Sequence, residues 1–154
     1  MFDLSGKSAL VTGASGGIGG AAARALKARG AAVALSDVRP EGLEQLAQEL
    51  GDGAHVIPCD LGDGAAIEAL AKDAEAALGG IDILINNAGL TRDNLMLRMK
   101  DEEWQQILDI NLTAAFRLTR ACLRPMMKRR WGRIIGLASV VGVTGNAGQA
   151  NYGA

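Results

Sequence analysis

Aromatic side chains are scarce, with two Phe, two Trp and one Tyr among 154 residues. A core must therefore come from Ala, Val, Ile and Leu, and beyond Trp131 there is no series of rings on which the bases of a single-stranded nucleic acid can stack. Histidine occurs once, as His55, inside the apolar run Ala54 to Pro58. The two cysteines, Cys59 and Cys122, form no C-x-x-C pair, and neither has a histidine at ligand spacing. These three residues read as structural, and no metal is expected. Excess charge of either sign is also lacking: 16 Lys and Arg against 17 Asp and Glu leave a net charge of -1, which excludes a global electrostatic footprint for nucleic acid or an anionic membrane. The start Met1-Phe2-Asp3-Leu4 carries no basic n-region, and no stretch approaches the ~18 apolar residues of a spanning helix. A cytoplasmic, reducing location is expected.

Glycine, with 21 residues, and hydrophobic side chains, at 49%, are what the chain has in quantity. Short β-rich runs alternate with longer runs of helical spacing. Ser8 to Val11 precedes Ile18 to Arg29, and Ala32 to Leu35 precedes Glu41 to Leu50. His55 to Pro58 precedes Ala65 to Leu78, Ile81 to Ile85 precedes Glu102 to Lys128, and Arg133 to Ala138 follows. The strand runs are continuously apolar instead of alternating, which implies burial on both faces. The pattern predicts an α/β fold, a doubly wound Rossmann-type parallel sheet with helices on both faces. No linker, repeat or low-complexity segment divides residues 1–154, so one domain is expected.

Directly after the first strand stands Thr12-Gly13-Ala14-Ser15-Gly16-Gly17-Ile18-Gly19, a glycine-rich turn that opens a helix and aims free backbone N–H groups at a phosphate. Gly13 suits the tight turn, Gly17 close approach of a pyrophosphate, and Gly19 close packing of helix on sheet. The spacing is G-x-x-x-G-x-G, not the commoner G-x-G-x-x-G, and packing alone can account for such a turn. About twenty residues on, Asp37 ends the second strand, where a carboxylate accepts hydrogen bonds from the ribose hydroxyls of an adenosine and repels a 2′-phosphate. Gly16 adds no cation to the phosphate loop, so NAD(H) is favoured over NADP(H). Arg39 keeps the alternative open, because its guanidinium can fold back over a 2′-phosphate. Asn86-Asn87-Ala88-Gly89 falls at the carboxyl end of the fourth strand, the edge where open α/β sheets bind ligands.

The series T-G-x-x-x-G-x-G, N-N-A-G, Asn111, Ser139 and Tyr152, in this order and separation, resembles the short-chain dehydrogenase/reductase family over the whole chain. Thr91-Arg92-Asp93-Asn94-Leu95, Arg98-Met99-Lys100 and Gly148-Gln149-Ala150-Asn151-Tyr152 resemble its 3-oxoacyl-[acyl-carrier-protein] reductase branch. The resemblance implies that Gly13, Ser15, Gly16, Gly17, Ile18 and Gly19 hold the cofactor's pyrophosphate. It gives Asp37 the adenosine ribose, Asp60 and Leu61 the adenine edge, and Asn87, Ala88 and Gly89 the nicotinamide side. Helix capping by Asp60 and strand-end capping by Asn86 and Asn87 are compatible with these roles. It further implies reduction of a β-keto thioester: Tyr152 gives the proton, Ser139 hydrogen-bonds the carbonyl oxygen, and Asn111 in the fourth helix holds a water in a proton relay. The family assembles homotetramers through its fourth and fifth helices and last strand.

The family's Tyr-x-x-x-Lys motif is begun by Tyr152-Gly153-Ala154, and its lysine would fall two positions further. An unperturbed phenol ionises near pH ~10, so acid–base work near neutrality asks for ~4 kcal/mol of electrostatic help, much of which that lysine supplies. The 154 residues by themselves are therefore expected to turn over poorly, to lack the last strands of the sheet, and to leave Ile134 to Ala138 as an exposed edge that invites association. Lys128, Arg129, Arg130 and Arg133 form a basic cluster that suits a helix carboxyl terminus. The resemblance makes Arg130 the candidate contact for an acidic acyl carrier protein, with a CoA thioester as the alternative substrate form. Two other readings stay open: an NAD-dependent hydroxyacyl-CoA or alcohol dehydrogenase, and a nucleotide-binding fragment without catalysis.

Overall fold

A computed structural model describes residues 2–154. The elements in chain order are β1 (Ser8–Thr12), α1 (Gly17–Lys27), β2 (Ala32–Ser36), α2 (Pro40–Leu50), β3 (Ala54–Val56), α3 (Gly64–Leu78) and β4 (Ile83–Asn86). They continue with α4 (Asp101–Leu108), a π-helical turn (Asp109–Thr113), α5 (Ala114–Arg129), β5 (Arg133–Gly136) and two short helices, α6 (Val141–Thr144) and α7 (Ala150–Gly153). The strands form one parallel sheet in the order β3-β2-β1-β4-β5. Successive strands are added outward in one direction from β1 to β3 and in the other from β4 to β5, and this reversal of strand order between β1 and β4 creates a crevice at their carboxyl ends.

Both faces of the sheet are covered, as the apolar strand runs require. Leu10, Ala34 and Leu84 point to one side and pack with Ile67 and Leu70 of α3 and Leu118 and Cys122 of α5. Val11, Val33, Leu35 and Ile85 point to the other and pack with Ala23 of α1 and Leu43 and Leu46 of α2. The period-2 alternation of a strand thus feeds two cores from single runs such as Ala9-Leu10-Val11, all fully buried. Cys59 and Cys122 are buried in the first core, and burial pushes each thiol up to about 11, so both behave as small hydrophobes. His55 lies half-buried in β3. Among the described residues no three His, Cys, Asp or Glu side chains gather as a metal site, and no helix is long and apolar enough to cross a membrane.

Two sequence boundaries shift. The third strand is Ala54–Val56 instead of His55 to Pro58, ending before the proline that cannot donate to a ladder. The single fourth helix read from Glu102 to Lys128 is interrupted by the π-helical turn at Asp109–Thr113, a one-turn widening between α4 and α5. Strand β5 is the sheet edge beyond β4, and Ile134, Ile135 and Leu137 are 39%, 47% and 41% exposed, a poorly covered face as the sequence suggests.

Candidate active site at the sheet switch point

The glycine loop is built around Gly13, whose φ of +64° is the left-handed conformation that glycine adopts at little cost. Gly16 is the N-cap of α1 and has no side chain to satisfy the first N–H groups, which therefore stay available to an anion. A Cβ on Gly17 would meet nothing within 4 Å, so the backbone is open to a ligand there. Gly19 is the opposite case: a Cβ would overlap the Gly13 carbonyl oxygen and lie 2.7 Å from Asn87 Nδ2. Gly19→Ala is expected to lower stability by about 1–3 kcal/mol through overpacking, read by urea unfolding, and to weaken dinucleotide binding with it.

Thr12, the first residue of the glycine-turn motif, to which the sequence assigned no role of its own, joins this loop to β4. Its side chain is 2% exposed; Oγ1 donates to the Ile85 carbonyl (3.2 Å) and accepts from the backbone N–H groups of Asn87 and Ala88, both at 3.1 Å. Asn87 answers from the other side, Nδ2 donating to the carbonyls of Thr12 (2.9 Å) and Gly13 (3.2 Å). The Asn87 amide is thus committed to holding the glycine loop, and what this segment presents to the crevice is mainly its backbone and the small residues Ala88 and Gly89.

Two clefts meet at Ala88 and Gly89. The first, about 400 Å³, is lined by Gly13, Asp37, Arg39, Asp60 and Leu61. Asp37 Oδ2 accepts a 2.6 Å hydrogen bond from Ser15 Oγ, and Arg39 leans over the pair, Nη2 donating to Ser15 Oγ at 3.1 Å with Nε 3.8 Å from Asp37 Oδ1. Asp60 closes a local turn by accepting from Gly62 N–H, while the cap of α3 is Asp63, which accepts from Ala65 N–H. The second cleft, about 350 Å³, is lined by Ile18, Asn87, Asn111, Ser139 and Tyr152. Ile18 is 67% exposed, an apolar side chain standing open at the junction. A further hollow of about 340 Å³ between α3 and α5 lies away from the glycine loop and contains none of the motif residues.

The three polar residues picked from sequence are therefore brought to one cleft. Asn111 sits in the π-helical turn and spends its side chain on Leu90: Oδ1 accepts from Leu90 N–H at 3.0 Å and Nδ2 donates to Leu90 C=O at 2.9 Å. One Oδ1 lone pair and one Nδ2 hydrogen of the Asn111 amide stay uncommitted. Ser139 Oγ accepts from Val141 N–H (3.2 Å), which leaves its own hydrogen to donate. Tyr152 is half-buried in α7, its backbone N–H held by Asn151 Oδ1 at 2.9 Å.

Arg130 is not brought to the cleft. It is the exposed C-cap of α5, at φ +56°. The 16 residues of α5 place it ~24 Å along the axis from the end near Asn111, at the amino edge of the sheet. The basic cluster is also partly spent: Arg129 pairs with Asp82 and donates to the Ile81 carbonyl, and Arg133 stacks on Trp131 with Lys7 on the same ring.

The sequence profile of the family described as short chain dehydrogenase matches residues 7–154. A nodulation protein G of Rhizobium sp. (strain N33) is 58% identical over 152 residues, which are 99% of this chain and 62% of that protein. The nodulation protein G of Rhizobium meliloti (strain 1021) is 54% identical over the same shares. The 3-oxoacyl-[acyl-carrier-protein] reductase FabG of Vibrio cholerae serotype O1 is 52% identical over 153 residues, 99% of this chain and 63% of that protein. The chain spans less than two thirds of the length of these relatives.

Proposed function

The chain belongs to the short-chain dehydrogenase/reductase family, and from that premise we propose that it is the cofactor-binding and proton-donating part of an NAD(H)-favouring reductase of 3-oxoacyl thioesters. The observation that carries this reading is the meeting of two clefts at Ala88 and Gly89, one with Asp37 and the other with Ser139 and Tyr152. The residues fit a dinucleotide: open N–H groups and an empty Gly17 Cβ position for the pyrophosphate, and a carboxylate for the ribose. A bound nicotinamide supplies the hydride. Tyr152 then gives its phenolic proton to the carbonyl oxygen, and Ser139 donates a hydrogen bond to the same oxygen as charge builds on it. A positioned donor pair of this kind serves without a Lewis acid.

The name of the FabG relatives, at about 50% identity, supports the acyl-carrier reading, while the name nodulation protein G, carried at 58% and 54%, is silent on substrate; Arg130 is the candidate carrier contact. Arg130 lies at the far end of α5 from its own chain's cleft, so a carrier docked there serves the cleft of a second copy in the homotetramer. A full-length protein carrying this chain is expected to oxidise NADH with acetoacetyl-CoA and with a carrier-bound 3-oxoacyl thioester. Arg130→Glu is expected to raise KM for the carrier-bound substrate about tenfold and leave KM for acetoacetyl-CoA unchanged. Equal effects on both remove the docking role, and no turnover with either thioester removes the reductase reading in favour of a hydroxyacyl or alcohol dehydrogenase.

A further inference from the structure

Asn151 is one of very few polar side chains that the fold buries, at 1% exposure. Three of its amide's four hydrogen-bonding positions are used. Nδ2 donates to the Arg92 carbonyl at 2.9 Å and, more weakly, to the Glu103 carbonyl at 3.4 Å, while Oδ1 accepts from Tyr152 N–H at 2.9 Å. Burying an amide is costly unless it is paired, so pairing at both ends of the amide at this depth fixes one geometry. The next residue in the chain is Tyr152.

The segment that Asn151 grips is held elsewhere too. Leu90 is bonded at both backbone atoms by Asn111, and Asn94 N–H donates to the Gly148 carbonyl at 2.8 Å. Gln149 Nε2 donates to Asp93 Oδ1 at 3.1 Å. Glu103, at the start of α4, is locked by accepting from Lys100 N–H and Asn94 Nδ2, both at 2.9 Å, and these bonds hold its carboxyl below the usual range. Residues 90–94 thus form a spacer with the π-helical turn of Asn111 tied to one end and α7 tied to the other.

We propose that Asn151 is a positioning residue: by tying α7 to the spacer at Arg92, it sets the place of Tyr152 relative to Asn111 and Ser139 in the cleft. The proposal rests on the proton-donor role given to Tyr152 above. Two substitutions separate the local cap from the bridge. Asn151→Asp is isosteric and keeps an acceptor for Tyr152 N–H, but turns a carboxylate oxygen towards the two carbonyls. Asn151→Ser keeps a short acceptor and cannot span to Arg92; it reports if the aspartate variant does not fold.

The measurement is kcat, KM for acetoacetyl-CoA and Kd for NADH, on full-length proteins checked by thermal unfolding. The expected result is a fall in kcat of about 100-fold, the order that a misplacement of about 1 Å costs, with KM and Kd within about threefold of wild type. Unchanged kcat in either folded variant overturns the proposal. So does a parallel loss of kcat, NADH binding and melting temperature, which marks a merely structural residue. A wild-type protein without turnover overturns the reductase reading and this proposal together, whereas wild-type turnover insensitive to both substitutions overturns this proposal alone.

Discussion

On the proposed mechanism, Tyr152→Phe in the full-length protein is expected to lower kcat for thioester reduction by about 10³-fold, within the range of 10² to 10⁴ that a positioned general acid contributes. The change deletes one oxygen from a half-buried ring and leaves the backbone N–H to Asn151 in place, so melting temperature and NADH affinity stay near wild type. Ser139→Ala removes the second donor proposed for the same oxygen and is expected to cost about 10²-fold, the size found for one oxyanion donor. Because both groups are assigned to one developing charge, the double variant is expected to fall short of the product of the two effects. Stopped-flow reduction of acetoacetyl-CoA at saturating NADH reads each value. A Tyr152→Phe protein that retains a tenth of wild-type kcat moves the proton donor elsewhere and favours a nucleotide-binding role for these residues.

The clefts form where they do because the chain order of a parallel sheet forces it. Apolar runs such as Ser8-Ala9-Leu10-Val11 and Ala32-Val33-Ala34-Leu35 were legible as strands, since burial on both faces demands them, and the glycine turn after the first run was legible because only small residues fit it. From those two features follow the sheet, its helical layers and the crevice at its carboxyl edge.

Other features left weaker marks. The π-helical turn at Asp109–Thr113 has no glycine or proline to mark it, so Asn111 was picked out by its place in the motif series, while its bonds to Leu90 were not legible. Asn151 and Thr12 pair chiefly with backbone groups, and backbone groups carry no sequence signature. Yet the segments Thr91 to Leu95 and Gly148 to Tyr152, which suggested a common branch of the family, turn out to be bonded to each other across more than fifty residues. The displacement of Arg130 from the cleft was deducible, because a helix that feeds a parallel strand must end at the amino edge of the sheet.

Replacement of Asp37 by Ser is expected to shift the NADH to NADPH preference by about 10²-fold. In the wild-type chain the Asp37 side chain is only 12% exposed, and its two oxygens are already organised by Ser15 and by the backbone N–H of Arg39, which donates at 3.3 Å. A 2′-phosphate brought within ~4 Å of that carboxylate meets a repulsion of about 1–4 kcal/mol per unit charge pair, depending on how far water screens it. The serine keeps a hydrogen-bond partner for Ser15 but removes the charge, so NADPH gains about tenfold and NADH, which loses a charged acceptor for its ribose hydroxyls, weakens by a similar factor. Arg39 supplies the other half of the argument. Its guanidinium, now turned over Ser15 and Asp37, is freed by the substitution to face the phosphate, so Asp37→Ser combined with Arg39→Ala returns most of the NADPH gain while leaving the NADH loss. Titration of tryptophan fluorescence with each cofactor reads the six dissociation constants of the three proteins. If the wild-type protein binds NADH and NADPH within a factor of two, Arg39 already neutralises Asp37 in the bound state and the preference for NAD(H) is wrong.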